Sequence, residues 1–244
     1  MKRDIDRRVA RLVDVGKVYR IGEREVTALK DVALDIERGE FLIVRGRSGS
    51  GKSALLRILA ALERPDSGRA LIFGRDLRGL ELFEIADMRN RRIGYIPQDN
   101  DLIGDMSIIE NIAVPLRTRD MAESKLRRIA YVMLEGFGLG KRADDQANRL
   151  SSSEQSFVML ARALINGPEL IVADDPTGRI NETAGARIID TLNDARSEHE
   201  ATIVVATADQ RLLNIADRAV ALDNGVVKKI IPRDEFRIRP PSIQ

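Results

Sequence analysis

The 244 residues are 43% hydrophobic and 32% charged, the balance of one globular unit, with room for two lobes, that buries a real core under a charged surface. Forty basic residues against 38 acidic leave a net charge of +2, which excludes the strongly basic footprint of a nucleic-acid-binding protein. No cysteine is present, which excludes disulfides, thiol catalysis and cysteine metal sites, and no apolar run approaches the roughly 18 residues that span a bilayer. The N-terminal run Met1 to Arg8 is charged with no apolar segment behind it, so it is not expected to act as a signal peptide. A cytoplasmic address fits, and a partner embedded in the membrane could still hold the protein at its surface.

Residues 9–45 read as a small β region. Alternation marks Val13 to Val15 and Val32 to Ile36, with turns at 21–23 and 38–40. Tyr19 is expected between the first two strands, where an aromatic can either stack on a purine or pack as an ordinary strand residue.

A buried strand is expected over Glu40 to Val44 and an amphipathic helix over Ala54 to Ala60. Between them lies Gly46-Arg47-Ser48-Gly49-Ser50-Gly51-Lys52-Ser53, which satisfies G-x-x-x-x-G-K-[ST], the Walker A loop. Strand, glycine-rich loop and helix together make an anion nest: glycines let successive N–H groups point inward, and the helix adds the positive end of its dipole. Lys52 is expected to reach the β- and γ-phosphates of a nucleotide and Ser53 to ligate Mg²⁺.

Downstream, the pattern gives a turn at 65–68, a strand over 69–74, a charged helix over 81–92 and a strand from Ile93 to Gln98. Residues 99–164 read as mostly helical, with polar loops over 136–148. Strand and helix then alternate: a strand from Leu170 to Asp174-Asp175, a helix over 183–197 and a strand over 202–207. A hairpin follows through Asp223-Asn224-Gly225, and a loose tail over 232–244. Apolar strand runs separated by helices predict an α/β fold, a parallel sheet covered on both faces. Asp174, at the end of an apolar strand, is the natural Walker B carboxylate for Mg²⁺ opposite Ser53, and Asp175 stands where a second carboxylate could take a proton from attacking water.

The order of these segments resembles an ATP-binding-cassette (ABC) ATPase over essentially the whole chain. The residues that carry the resemblance are the Walker A loop, strand-end Gln98, Leu150-Ser151-Ser152-Ser153-Glu154-Gln155 ahead of Ala161-Arg162-Ala163-Leu164, and Ala173-Asp174-Asp175-Pro176-Thr177-Gly178. The last of these and the run from Leu29 resemble the subfamily of lipoprotein release, macrolide export and cell-division permease complexes. The resemblance implies a nucleotide-binding core (1–97 and 165–231) with an N-terminal antiparallel β region and a helical signature lobe (98–164). It implies Mg²⁺ and ATP as ligands, and a permease partner at the inner face of the membrane. It also implies a homodimer or heterodimer of cassettes, with each ATP between one Walker A loop and the other subunit's signature. Tyr19 then falls at the adenine-stacking position, Gln98 at the loop that senses Mg²⁺ and the membrane subunit, and Ser151 and Ser153 in the signature that faces the nucleotide. No nucleic-acid partner is expected. The interval 54–149 is too short for the long coiled coil or large insertion of the DNA-repair and chromosome members.

The departures are as informative as the match. The family signature Leu-Ser-Gly-Gly-Gln carries Ser152, Ser153 and Glu154 here, and the arginine that follows is Phe157. Each serine adds a Cβ where backbone must approach a phosphate, and Glu154 brings a negative charge. The catalytic glutamate is Asp175, shorter by one methylene. The switch histidine is Ala208, which has no donor. The D-loop aspartate is Asn181. Ala54 stands where a hydroxyl usually meets the α-phosphate. His199 lies too early in the chain to replace the switch histidine and is expected in a surface loop between helix and strand. The binding set (Tyr19, Gly46 to Ser53, Asp174) is thus nearly intact and the hydrolysis set is altered. Two readings follow: a slow transporter ATPase, and a nucleotide-gated pseudo-ATPase that regulates or scaffolds a membrane complex.

Overall fold

The computed structural model describes residues 7–99 and 101–236. The start of the charged N-terminal run (1–6) and most of the expected loose tail (237–244) lie outside the described residues. The chain forms two compact units, one from Met1–Leu80 with Thr202–Gln244 and one from Glu81–Ala201.

The first unit opens with a long antiparallel hairpin, β1 (Arg8–Ile21) and β2 (Arg24–Glu37), turned by Gly22 at φ 62°. It is far longer than the two short alternating runs suggested, because β1 continues through register shifts near Val15, Lys17 and Val18. Tyr19 therefore lies within β1, opposite Val26, and not between two strands as expected. Next come β3 (Phe41–Arg45) and α1 (Lys52–Leu59). Helix α1 buries Leu55, Leu56, Ile58 and Leu59 completely, each worth about 1.5–3 kcal/mol. Strand β4 (Ser67–Ile72) is stopped by left-handed Phe73 and Gly74, and short β5 (Arg75–Asp76) follows. These strands form an antiparallel sheet in the order β2-β1-β4-β5.

In the second unit, α2 (Leu82–Arg92) leads into β6 (Ile93–Ile96). The strand ends two residues before Gln98 because Pro97 has no N–H to continue the ladder. Helices α3 (Ile108–Ala113), α4 (Glu123–Gly136) and α5 (Ser152–Leu164) pack through Ile108, Ile112, Leu126, Ala130, Leu134 and Val158. Fully buried Asn111 donates to the carbonyls of Ile103 and Ser107 and accepts from the N–H of Ile103, which satisfies the backbone at Ile103 ahead of α3. Strand β7 (Leu170–Asp174) pairs parallel with β6, and α6 (Glu182–His199) follows. Left-handed Glu200 ends α6 two residues later than the sequence pattern suggested.

The first unit resumes with β8 (Thr202–Ala206), α7 (Gln210–Ile215), β9 (Arg218–Asp223), β10 (Val226–Pro232) and α8 (Arg233–Phe236). Its strands run β10-β9-β3-β8, with β3 parallel to both neighbours. Asn224 and Gly225, both at positive φ, turn the β9–β10 hairpin as expected. The short α7 is unforeseen, and a turn of helix, α8, occupies the start of the tail. Among the described residues no helix is long and apolar enough to cross a membrane.

Candidate functional site

The phosphate loop leaves β3 at Arg45 and enters α1 at Lys52. Gly49 and Gly51 take φ values of 75° and 101°, which side chains disfavour. A Cβ on Gly51 would come within 2.2 Å of the Ala28 carbonyl oxygen, and one on Gly46 within 2.3 Å of that of Leu222. The loop is thus sealed on its inner side by neighbouring backbone and open at Gly49, where nothing lies within 4 Å of such a Cβ. The hairpin turn braces it: Gly225 N–H donates to the Ser50 carbonyl, and Lys30 N–H donates to the Gly225 carbonyl, both at 2.9 Å. Lys52 Nζ donates to the Gly46 and Arg47 carbonyls, each at 2.8 Å, so the loop's own oxygens hold the ammonium over it. Arg47, Ser48 and Ser53 are exposed, whereas Ala54 turns its methyl into the core. Ser50 Oγ is buried without a hydrogen-bond partner among the described residues.

Tyr19 is half-buried, and its hydroxyl donates to Glu63 Oε2 at 2.7 Å. Glu63 also pairs with Arg57 of α1 at 3.1 Å and with Lys17 at 3.5 Å, and the Lys17 ammonium lies 5.6 Å from the Tyr19 ring centre. Burial and the bond to Glu63 push the Tyr19 phenol up to about 12.

In the second unit, Asp174 is buried at the end of β7. Asp175 sits in the left-handed region at φ 49°, a conformation that Asp tolerates better than most residues. A Cβ on Gly178 would meet Asp175 Oδ2 at 2.0 Å, so the carboxylate lies against that glycine. Gln98, Ser152, Gln155, Asp175 and Arg179 line one cavity of about 110 Å³, which brings together the segment after β6, the start of α5 and the turn after Asp174. Arg179 reaches Asp99, next to Gln98, at 2.7 Å.

The signature serines begin α5. Ser151 is its N-cap and shares a capping box with Glu154. Glu154 Oε2 accepts from the N–H and hydroxyl of Ser151 at 2.8 Å each, and Oε1 accepts from Arg142 at 2.5 Å. Burial alone raises the Glu154 pKa, but Ser151 and the Arg142 guanidinium outweigh it and hold the carboxyl below its ordinary value. The negative charge expected at the signature is therefore present but paired. Phe157 stacks on Phe137 with ring centres 5.2 Å apart, and the Arg187 guanidinium lies 4.9 Å from the Phe157 ring centre. Ala208 is exposed between β8 and α7. Asn181 caps α6 by accepting from Ala184 N–H at 2.9 Å. His199 is exposed but is the last helical residue of α6, not a loop residue, because the helix runs to its left-handed cap.

Sequence reasoning missed Glu63, Arg142, Arg179 and Gly225. The Ser151–Glu154 spacing, Ser-x-x-Glu before an apolar run, was a readable capping signal. Gly225 was legible as a hairpin turn but not as a brace for the phosphate loop, and Glu63, Arg142 and Arg179, whose partners lie farther away along the chain, carried no signal.

The sequence profile of the ABC transporter family matches residues 29–178. The macrolide export ATP-binding/permease protein MacB of Agrobacterium fabrum is 38% identical over 217 residues, covering 89% of this chain and 33% of that protein. An uncharacterized ABC transporter ATP-binding protein of Thermotoga maritima is 36% identical over 226 residues, covering 92% of this chain and 95% of that protein. Among solved structures, the dimeric post-hydrolysis state of the ATP-binding cassette MJ0796 bound to ADP and Pi matches with a TM-score of 0.87 at 33% identity. The match covers 92% of this chain and 98% of that one. The chain spans about a third of the length of the macrolide-export relatives it matches. With an α/β core, an N-terminal antiparallel sheet, a helical signature segment and a phosphate loop in their expected order, the chain belongs to the ABC transporter family as an ATP-binding cassette.

Proposed function

We propose that this chain binds Mg-ATP and couples it to a membrane permease, with weak hydrolysis. The observation that carries the reading is the phosphate loop: a nest closed by backbone at Gly46 and Gly51, open at Gly49 and topped by the Lys52 ammonium. Lys52 would exchange the carbonyls of Gly46 and Arg47 for phosphate oxygens. Ser53, Asp174 and Gln98 would hold Mg²⁺. They offer a hydroxyl, a carboxylate and an amide oxygen, the hard donors this ion takes when phosphate oxygens and water complete its shell. When bound, the metal neutralises charge on the phosphates. Tyr19 would carry the base.

Weak turnover follows from this chain's own side chains. Asp175 is short, lies against Gly178 and is the carboxylate proposed to take a proton from water, while Ala208 offers no donor. The relatives named as ATP-binding/permease proteins support a permease partner, and with it a place at the inner face of the membrane. The dimeric cassettes support pairing of two nucleotide-binding subunits. In a homodimer each composite site carries every departure, and in a heterodimer both sites carry some. The position of Asp175 favours a second reading, a pseudo-ATPase that closes on ATP without turnover. Phosphate release by the purified protein, alone and with its permease, separates the two. A rate above that of Lys52→Ala supports the slow ATPase, and an equal rate with retained Mg-ATP binding supports the pseudo-ATPase.

A further inference from the structure

The segment that follows α1 turns back onto β1 and grips three successive residues. Left-handed Ala61 reverses the chain, with Leu62 and Glu63 N–H groups both directed to the Arg57 carbonyl. Beyond it, Glu63 accepts from the Tyr19 hydroxyl at 2.7 Å, Asp66 Oδ2 accepts from Val18 N–H at 2.7 Å, and Lys17 Nζ donates to the Arg64 carbonyl at 3.1 Å. The gripped stretch is irregular. Val18 pairs with Thr27 and Lys17 with Leu29, which leaves Ala28 as an extra residue on β2. A bulge of this kind re-aims side chains and recurs beside active sites. The bulged residue is also the one whose carbonyl closes against Gly51 of the phosphate loop. Tyr19 is thus tied to the phosphate-binding apparatus twice, through the bulge at the loop's end and through Glu63 and Arg57 at the helix's end.

We propose that Glu63 is a positioning residue, which fixes the direction of the Tyr19 ring from the far end of the phosphate-loop helix so that the ring presents a set face to a nucleotide base. This rests on the reading of Tyr19 as the base platform. A ring held in place before binding loses less side-chain freedom when a base stacks on it. Arg57 and Lys17 flank the Glu63 carboxylate, so the grip puts no uncompensated negative charge beside the nucleotide.

The test is calorimetric titration of the whole protein with Mg-ATP and, separately, with magnesium tripolyphosphate, which has the phosphates but no base. Glu63→Ala should weaken Mg-ATP by about three- to tenfold and leave tripolyphosphate unchanged. Glu63→Gln keeps an acceptor oxygen and should restore most of the affinity. Tyr19→Phe should match Glu63→Ala, and the double variant should lose no more than either. A spectroscopic readout stands apart from affinity. The Tyr19 ionisation near 12, isolated by subtracting the Tyr19→Phe titration, should fall toward the ordinary value of 10 in Glu63→Ala. Equal loss for both ligands in Glu63→Ala would overturn the proposal, as would unchanged Mg-ATP affinity in that variant while Tyr19→Ala is weakened. If Tyr19→Ala itself leaves Mg-ATP unchanged, the base platform fails and the proposal with it. Failure of the wild type to bind either ligand would instead contradict the functional reading above.

Discussion

The Arg142 guanidinium donates to Glu154 Oε1 at 2.5 Å while the other oxygen of the same carboxylate caps α5 at Ser151. One side chain therefore sets the start of the signature helix, and a residue twelve positions earlier balances its charge. Glu154→Ala should remove the reciprocal half of the capping box, a loss of about 1 kcal/mol, read as a melting temperature lower by about 2–4 °C at neutral pH. The pH dependence has a fixed sign. The folded-state pKa of Glu154 is lowered, so its stabilisation is fully present above the unfolded-state value and is lost as pH falls through the folded value. The gap between wild type and Glu154→Ala should therefore close on acidification. A gap that widened in acid would show that the carboxylate is not the stabilising form.

Gly51→Ala must place a methyl 2.2 Å from the Ala28 carbonyl at a φ of 101°. The backbone strain alone is on the order of 1–3 kcal/mol, and relieving it moves the loop. The variant should melt earlier and lose Mg-ATP binding. Gly136→Ala serves as the control: it lies in the last turn of α4 with nothing within 4 Å of the added Cβ. It should stabilise by roughly 0.5–1 kcal/mol and leave binding untouched.

On the proposed reading, Asp175 and Ala208 limit hydrolysis, and changing both to the family's residues should raise turnover. Asp175→Glu lengthens the base and Ala208→His supplies a donor. A misplacement of about 1 Å can cost on the order of 100-fold, and one missing preorganised donor about 100- to 1,000-fold. Because such groups act together, the double variant should gain more phosphate release than either single change, about 100-fold or more over wild type. Asp175→Glu alone should also lower stability slightly, since Glu suits the left-handed backbone at φ 49° less well than Asp. Unchanged release in the double variant would point to the signature serines as the limiting departure.

Phe157→Ala should cost about 3–5 kcal/mol, because the ring is buried against Phe137 and beneath Arg187. Urea unfolding of the two variants Phe157→Ala and Phe157→Leu measures it, with the leucine recovering part of the loss. Arginine at this position would set two guanidinium groups together and should be no better than alanine.

What could be read in advance follows the range of the interactions. The phosphate loop, the buried strands ending at Asp174, the Asn224-Gly225 hairpin and the apolar face of α1 are all local patterns, and each stands where the sequence put it. Tyr19 was misplaced because alternation along β1 breaks at the register shifts between Leu12 and Val18, so the strand looked finished near Val15 and its continuation looked like a connection. Helix α7 was missed because six residues hold too little periodicity. The Glu154 charge was visible, but its partner Arg142 lies across two loops, and the grip of Glu63 on Tyr19 spans 44 positions. The left-handed backbone of Asp175 has no sequence mark, since Asp occupies ordinary conformations equally well.

The central claim is that a triphosphate is gripped by the loop between β3 and α1 through Lys52. Equilibrium titration of the purified wild type and Lys52→Ala with ATP, with and without Mg²⁺, tests it most directly. The account predicts saturable, magnesium-dependent binding by the wild type that Lys52→Ala loses. Absence of binding by the wild type, or equal binding by both, would contradict it.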